Sequence, residues 1–173
     1  MWTLNDASPF YLETRSTFYT FGAGRERLSG KENAKMPYFS DIQIFYDCIT
    51  ELFERLSGDP DIKAKALASK LIVTFVYHDP DGEVWIDCTG DEMKLTPGKL
   101  DLEADATLKM STDTAHKFWL GKLNLIKALT SGEIESEGSV PRMLKLLPVI
   151  KPAFKIYPEI LNEKGLGSIV DVG

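Results

Sequence analysis

Apolar residues recur at helical spacing over residues 41–57, DIQIFYDCITELFERLS. Ile42, Phe45, Tyr46, Ile49, Leu52, Phe53 and Leu56 keep the i, i+3, i+4, i+7 rhythm that places them on one face of a helix. Ser40 with Gln43 has the form of a capping box, and Gly58 supplies a stop. Burying these side chains stabilises by roughly 10–20 kcal/mol before chain entropy is subtracted. Asp59-Pro60 then opens a shorter helix carrying Ile62, Ala66 and Leu67, because proline is tolerated in a first turn.

The period next falls to two. KLIVTFVYH at 70–78 is β-branched and aromatic, and EVWIDCT at 83–89 alternates, with Val84, Ile86 and Cys88 on one face and Trp85 and Asp87 on the other. Between them Asp79-Pro80-Asp81-Gly82 predicts a turn in which proline sets φ and glycine accepts positive φ. EMKLT at 92–96 and ADATLKMS at 104–111 read as the third and fourth strands. In the fourth, Ala104, Ala106, Leu108 and Met110 alternate with Asp105, Thr107 and Lys109.

Residues 118–138, FWLGKLNLIKALTSGEIESEG, compress several elements. Ser111 or Thr112 caps a helix carrying Ala115, Phe118 and Trp119 on one face. Gly121 ends it, with Lys122 suited to the negative end of its dipole. Asn124 caps LIKALTS, Gly132 ends that helix, EIESE at 133–137 is an exposed fifth strand, and Gly138 closes it. The pattern predicts a helix from Ser139 to about residue 147, with Met143, Leu144, Leu147 and Ile150 on its face. Pro148, Pro152 and Pro158 follow, each removing a donor at a cost of about 3 kcal/mol in a helix interior. A kinked or segmented apolar tail is therefore expected, and its segment 148–161 is a candidate lid or wall.

Residues 1–39 have no long period but carry eight aromatics, among them Tyr38 and Phe39, so part of this arm is expected to dock on the body at 40–173. Residues 22–35 read as a linker. Gly22-Ala23-Gly24 lacks the third glycine of a dinucleotide fingerprint.

At 173 residues the chain suits one domain with an extension. A net charge of −6 argues against nucleic acid as a partner. Cys48 and Cys88 fit no zinc or disulfide framework and read as buried small hydrophobes. MWTLNDASPF has no basic region followed by an apolar run, LIVTFVY at 71–77 is too short to span a bilayer, and the chain reads as soluble and cytoplasmic. His78 and His116 stand apart from carboxylates and thiols at triad or ligand spacing, and both read as solvated. Asp79, Asp81 and Gly82 resemble the start of a calcium loop but lack its later ligands. No catalytic residue, metal site or cofactor is thus expected.

Charge is segregated. Acids dominate the sheet region from Asp79 to Asp105, whereas Arg142, Lys145, Lys151 and Lys155 occur with no acid until Glu159. That basic stretch, interleaved with Leu, Ile and Phe, reads either as a solvated back to a core-facing helix or as a surface for transient contact with anionic headgroups.

The order of elements, and the series Phe118, Gly121-Lys122-Leu123, Ala128, Gly132, Ile134, Gly138 with Leu144 and Leu147 after it, resemble the sterol carrier protein type two family over about residues 37–150. The arm, the prolines after Leu147 and the missing peroxisomal signal depart from that pattern. The resemblance implies an α+β fold, a five-stranded, mostly antiparallel sheet covered by helices, with an apolar tunnel between the sheet and the later helices. It implies non-catalytic binding, with transfer, of a hydrophobic small molecule: a fatty acid, an acyl-CoA, or a sterol-like or quinone-like ligand. On that basis Met110, Phe118, Trp119, Leu123, Met143, Leu144, Leu147, Ile150 and Phe154 are the lining candidates. The alternative is an interaction or accessory module whose apolar surface meets a protein.

Overall fold

The computed structural model describes residues 37–171. Helix α1 spans Ile42–Ser57 and α2 Pro60–Ala68; strands β1 to β4 are Ile72–His78, Gly82–Asp87, Lys94–Pro97 and Ala106–Ser111. Helices α3 (Thr112–Trp119) and α4 (Leu125–Ser131), strand β5 (Glu135–Gly138) and helices α5 (Val140–Leu144), α6 (Leu147–Ile150) and α7 (Ala153–Glu163) follow, and a 3-10 turn at Gly167–Ile169 comes last. The expected α+β architecture is present: the strands form one sheet in the order β3-β2-β1-β4-β5. Among the described strands only β1–β4 is a parallel pair, its long connection running through β2, β3 and the loop at 98–105, while the other neighbours pair antiparallel.

Period two in β1 and β4 sorts side chains by face. Val73, Phe75 and Tyr77 align with Ala106, Leu108 and Met110 across the parallel ladder, and all six are buried. Helix α1 covers this face, with Phe45 meeting Tyr77 edge to face at 5.1 Å. Its far end reaches α3, where Phe53 meets Trp119 at 5.7 Å. Phe39, the last residue of the aromatic arm, is 2% exposed and packs on Phe45. The rest of the arm, residues 1–36, lies outside the described residues.

Local chemistry explains several boundaries. Asp41, not Ser40, caps α1, because Asp41 is the extended residue whose carboxylate accepts the Gln43 N–H at 2.9 Å. Asp59 caps α2, Ser111 caps α3 and Asn124 caps α4. In the β1–β2 turn the Asp79–Pro80 peptide is cis and the positive φ falls on Asp79 rather than on Gly82. Glycine is needed at 82 for a different reason. A Cβ there would stand 2.5 Å from Ile42 and from the Tyr46 hydroxyl, which accepts the Glu83 N–H at 2.8 Å.

Two expectations about the C-terminal third are corrected. The helix expected to run to about 147 stops at Leu144, and α6 is a single turn, while Pro158 lies inside α7 instead of breaking it. The carbonyl one turn back that loses its donor is that of Phe154, near the start of α7, so the loss falls where few helical bonds exist to break. Second, His116 is not solvated: it is 0% exposed. Helix α3 is buried around most of its circumference, Thr112, Thr114 and Thr-flanked Ala115 included, so it has no polar back on which a histidine could stand. The imidazole Nε2 bonds the Ile169 carbonyl at 2.8 Å and Nδ1 bonds the Tyr157 hydroxyl at 3.0 Å. Lys122 adds a bond from Nζ to the Val170 carbonyl at 2.9 Å. These contacts hold α7 and the final turn on the body. His78, by contrast, is exposed beside Asp79.

Candidate apolar cavity

Three layers of apolar side chains converge between the sheet and the α5–α6 segment. Val73, Phe75, Ile86, Cys88 and Leu108 form a floor on the covered face of the sheet. Phe53 and Leu56 of α1, Ile62 and Ala66 of α2, and Met93 make one wall; Phe118, Trp119 and Leu125 make the other. Met143, Leu146, Leu147, Val149 and Ile150 form the cover. The space between them is about 70 Å³. No ionisable side chain other than the Cys88 thiol lines it. Burial pushes that thiol up to about 11, with Asp87 adding to the effect, so it is held as a neutral S–H.

Of the residues expected to line a tunnel, Phe118, Trp119, Met143, Leu147 and Ile150 do meet at the cavity. Met110 is buried in β4 outside the lining. Leu123 and Leu144 pack half-buried against the core, and Phe154 sits edge to face on Phe118 at 5.9 Å. The floor and the α1–α2 wall were not singled out from the sequence. Their legible traces were positional: Phe53 and Leu56 on the α1 stripe, Ile62 and Ala66 in the second helix, Leu108 in the β4 alternation, and Ile86 with Cys88 on one face of β2.

The cover is built unevenly. The start of α5 is pinned by Asp105, whose backbone carbonyl accepts the Ser139 N–H at 2.6 Å. The Asp105 carboxylate accepts the Ile72 N–H at 2.9 Å and a bond from Arg142 at 3.3 Å. Helix α6 has no side-chain cap and no fully buried residue. Segments with few buried contacts and unsatisfied ends open at the lowest free energy. The candidate lid at 148–161 therefore divides. Its second part, α7, buries Ala153, Tyr157, Ile160 and Leu161 and belongs to the core. Its first part, 148–152, holds the end of α6 and no fully buried residue.

Nothing in the cavity supplies acid–base chemistry. His116 lies outside it, and burial holds its imidazole below the ordinary histidine value with both nitrogens bonded. The Cys48 thiol, also buried, is pushed up to about 11. Among the described residues no cluster of His, Cys, Asp and Glu could hold a metal ion, and no helix is long and apolar enough to cross a membrane.

Solved structures share this fold. The sterol carrier protein domain 2 of Helicoverpa armigera is 20% identical, with a TM-score of 0.53, over 73% of this chain and 96% of that one. The ubiquinone synthesis protein UbiJ-SCP2 is 15% identical, TM-score 0.50, over 66% of this chain and 94% of that one. A sterol carrier protein 2 crystal structure is 14% identical, TM-score 0.50, over 65% and 95%. The stereoselective inverting sec-alkylsulfatase Pisa1 from Pseudomonas sp. matches over 50% of this chain, but this chain spans only 14% of that enzyme's length (20% identity, TM-score 0.45). No curated protein sequence matches significantly. The model of the SCP-2 sterol transfer family matches residues 49–151, well over half of the chain, and the protein belongs to that family.

Proposed function

We propose that this protein carries one lipid-like molecule with a slender apolar tail, held in the cavity beneath α5–α6 and released when that cover lifts, without covalent change to the cargo. Family membership supports a lipid-binding or transfer domain. The observation that carries the reading further is the wholly apolar cavity under a capless helix. A pre-formed apolar space with a weak cover suits a ligand whose affinity comes from area and not from fixed polar contacts. Each CH₂ withdrawn from water contributes about 0.8 kcal/mol. Some ten carbons supply about 8 kcal/mol, the scale of micromolar binding before the costs of association are subtracted. Met93 and Met143 in the lining repack readily, which favours a class of tails over one exact shape. Fatty acids, acyl-CoA and sterol-like or quinone-like molecules all present such a tail.

Native mass spectrometry of the purified protein, with lipid extraction from the same sample, tests this. The expected result is a one-to-one adduct that extracts as lipid, or one formed on adding a long-chain fatty acid. Protein that stays bare with every long-chain probe overturns the reading.

A further inference from the structure

The cavity cover is held to the body in two unlike ways. Met143, Leu146, Leu147, Val149 and Ile150 rest on the rest of the lining through apolar contacts. A lipid tail can replace such contacts, because they are non-directional and scale with area. Polar tethers are few. Ser139 bonds the Asp105 carbonyl through its backbone N–H. Among the described residues Arg142 is the one side chain of residues 139–150 that bonds to the body. Its guanidinium reaches two places at once. Nη1 donates to the Asp105 carboxylate at 3.3 Å, and Nη2 donates at 3.5 Å to the carbonyl of Ser69, the C-cap of α2. Asp105 is fixed in turn: its carboxylate accepts the Ile72 N–H, and its own N–H donates to the Ile72 carbonyl at 2.8 Å. Val73 follows Ile72, Ala66 lies one turn before Ser69, and Met143 follows Arg142. The guanidinium thus stands where floor, wall and cover meet.

We propose that Arg142 is a positioning residue, a latch that holds the cover in register over the cavity, loaded or empty, and so sets how fast cargo exchanges. An entering tail replaces apolar contacts but offers nothing to a guanidinium. The latch therefore breaks in every exchange and re-forms afterwards. It slows entry and exit alike and leaves the affinity nearly unchanged. The Arg142 and Asp105 side chains are 51% and 33% exposed. Such a pair is worth no more than about a fivefold factor, and salt weakens it. The latch rests on the lipid-carrier reading for its purpose, but it can be detected without cargo.

Two thiols report it. Cys88 lines the cavity, whereas Cys48 lies in the core on α1. Both are buried, and burial pushes both up to about 11, so their intrinsic reactivities are matched. The full chain is treated with methyl methanethiosulfonate at low salt, and each cysteine is read by peptide mass. Stopped-flow fluorescence then follows exchange of cis-parinaric acid on the same proteins. R142Q should label Cys88 about fivefold faster with Cys48 unchanged, and should speed association and dissociation of the probe by that factor at constant Kd. K145Q removes an exposed charge from the same cover but no bond, and should match the wild type. Salt should speed Cys88 labelling in the wild type and not in R142Q. Unchanged Cys88 labelling in R142Q overturns the proposal. A parallel rise at Cys48 also overturns it, because the loss would then be one of general stability. So does a weaker Kd at unchanged association rate, which would make Arg142 a contact to cargo and not to the body. Protein that stays bare with cis-parinaric acid and other long-chain probes, yet shows the Cys88 acceleration, removes the carrier reading and leaves the latch standing.

Discussion

The Tyr157 hydroxyl and His116 Nδ1 stand 3.0 Å apart, joining α7 to α3 inside the core. With Nε2 bonded to the Ile169 carbonyl, the neutral imidazole donates at one nitrogen and accepts at the other, so Tyr157 is the donor in this pair. A protonated ring would lose its acceptor and carry a charge into the core.

This geometry sets a pH dependence. Burial, the largest cause, holds the folded His116 below its ordinary value of 6.5. The unfolded chain thus binds a proton that the folded one does not, and stability rises with pH between the two values. The His116 contribution should be complete above about pH 6.5 and should fade as pH drops toward the folded value. Urea unfolding at a series of pH values checks it. His116→Gln should cost about 2–3 kcal/mol at neutral pH and flatten the slope between pH 5 and 7, about the range in which histidine titrates. An unchanged slope would remove His116 as its source.

Tyr77 shows the opposite situation. Its hydroxyl is buried on the covered face of β1 and has no hydrogen-bond partner among the described residues. Tyr77→Phe should therefore be neutral or stabilising by about 1 kcal/mol, because it removes a desolvated polar group while keeping the ring that meets Phe45. A loss above about 1 kcal/mol in chemical denaturation would reveal a partner for that hydroxyl.

Gly138 and Gly132 share a left-handed backbone, at φ 79° and 78°. They differ in what a side chain would meet. A Cβ on Gly138 collides with the backbone carbonyl of Asp105, whereas one on Gly132 meets nothing within 4 Å. Gly132→Ala should cost only the conformational strain, about 1–2 kcal/mol. Gly138→Ala should cost more than about 3 kcal/mol, since Asp105 also anchors β1 and α5 and cannot retreat freely. Comparison of their denaturation midpoints decides this, and similar losses would mean that the Asp105 region yields.

Ala66 lines the cavity from α2. Ala66→Leu should fill part of its 70 Å³ with three carbons and leave stability unchanged or raised by about 1–2 kcal/mol. Adduct occupancy in native mass spectra should fall at least about tenfold, the equivalent of about 1.4 kcal/mol of binding. Full occupancy in a stable A66L protein would place the cargo elsewhere.

Local periodicity made much of the fold legible. The α1 stripe, the β1–β2 alternation and the caps at Asp59, Ser111 and Asn124 each depend on neighbours within a few residues, and each appears where the chain chemistry places it. The left-handed glycines 121, 132 and 138 likewise mark element ends, because only glycine adopts that backbone at little cost.

What the sequence by itself determined is therefore the identity and order of the elements through β5; Phe118, Trp119, Met143, Leu147 and Ile150, which the family resemblance singled out, lie at the cavity in the structure. The tertiary structure alone decided the rest of its lining. Phe53, Leu56 and Ala66 look like ordinary core positions until α1 and α2 are set against α6, because helical period reports that a face is buried but not what it is buried against. The same reason accounts for His116 and Pro158. An isolated pattern makes the first solvated and the second a helix breaker. The first is enclosed because α3 is packed from several directions, and the second is tolerated because its lost donor falls near the start of a helix whose Tyr157, Ile160 and Leu161 are held by the core.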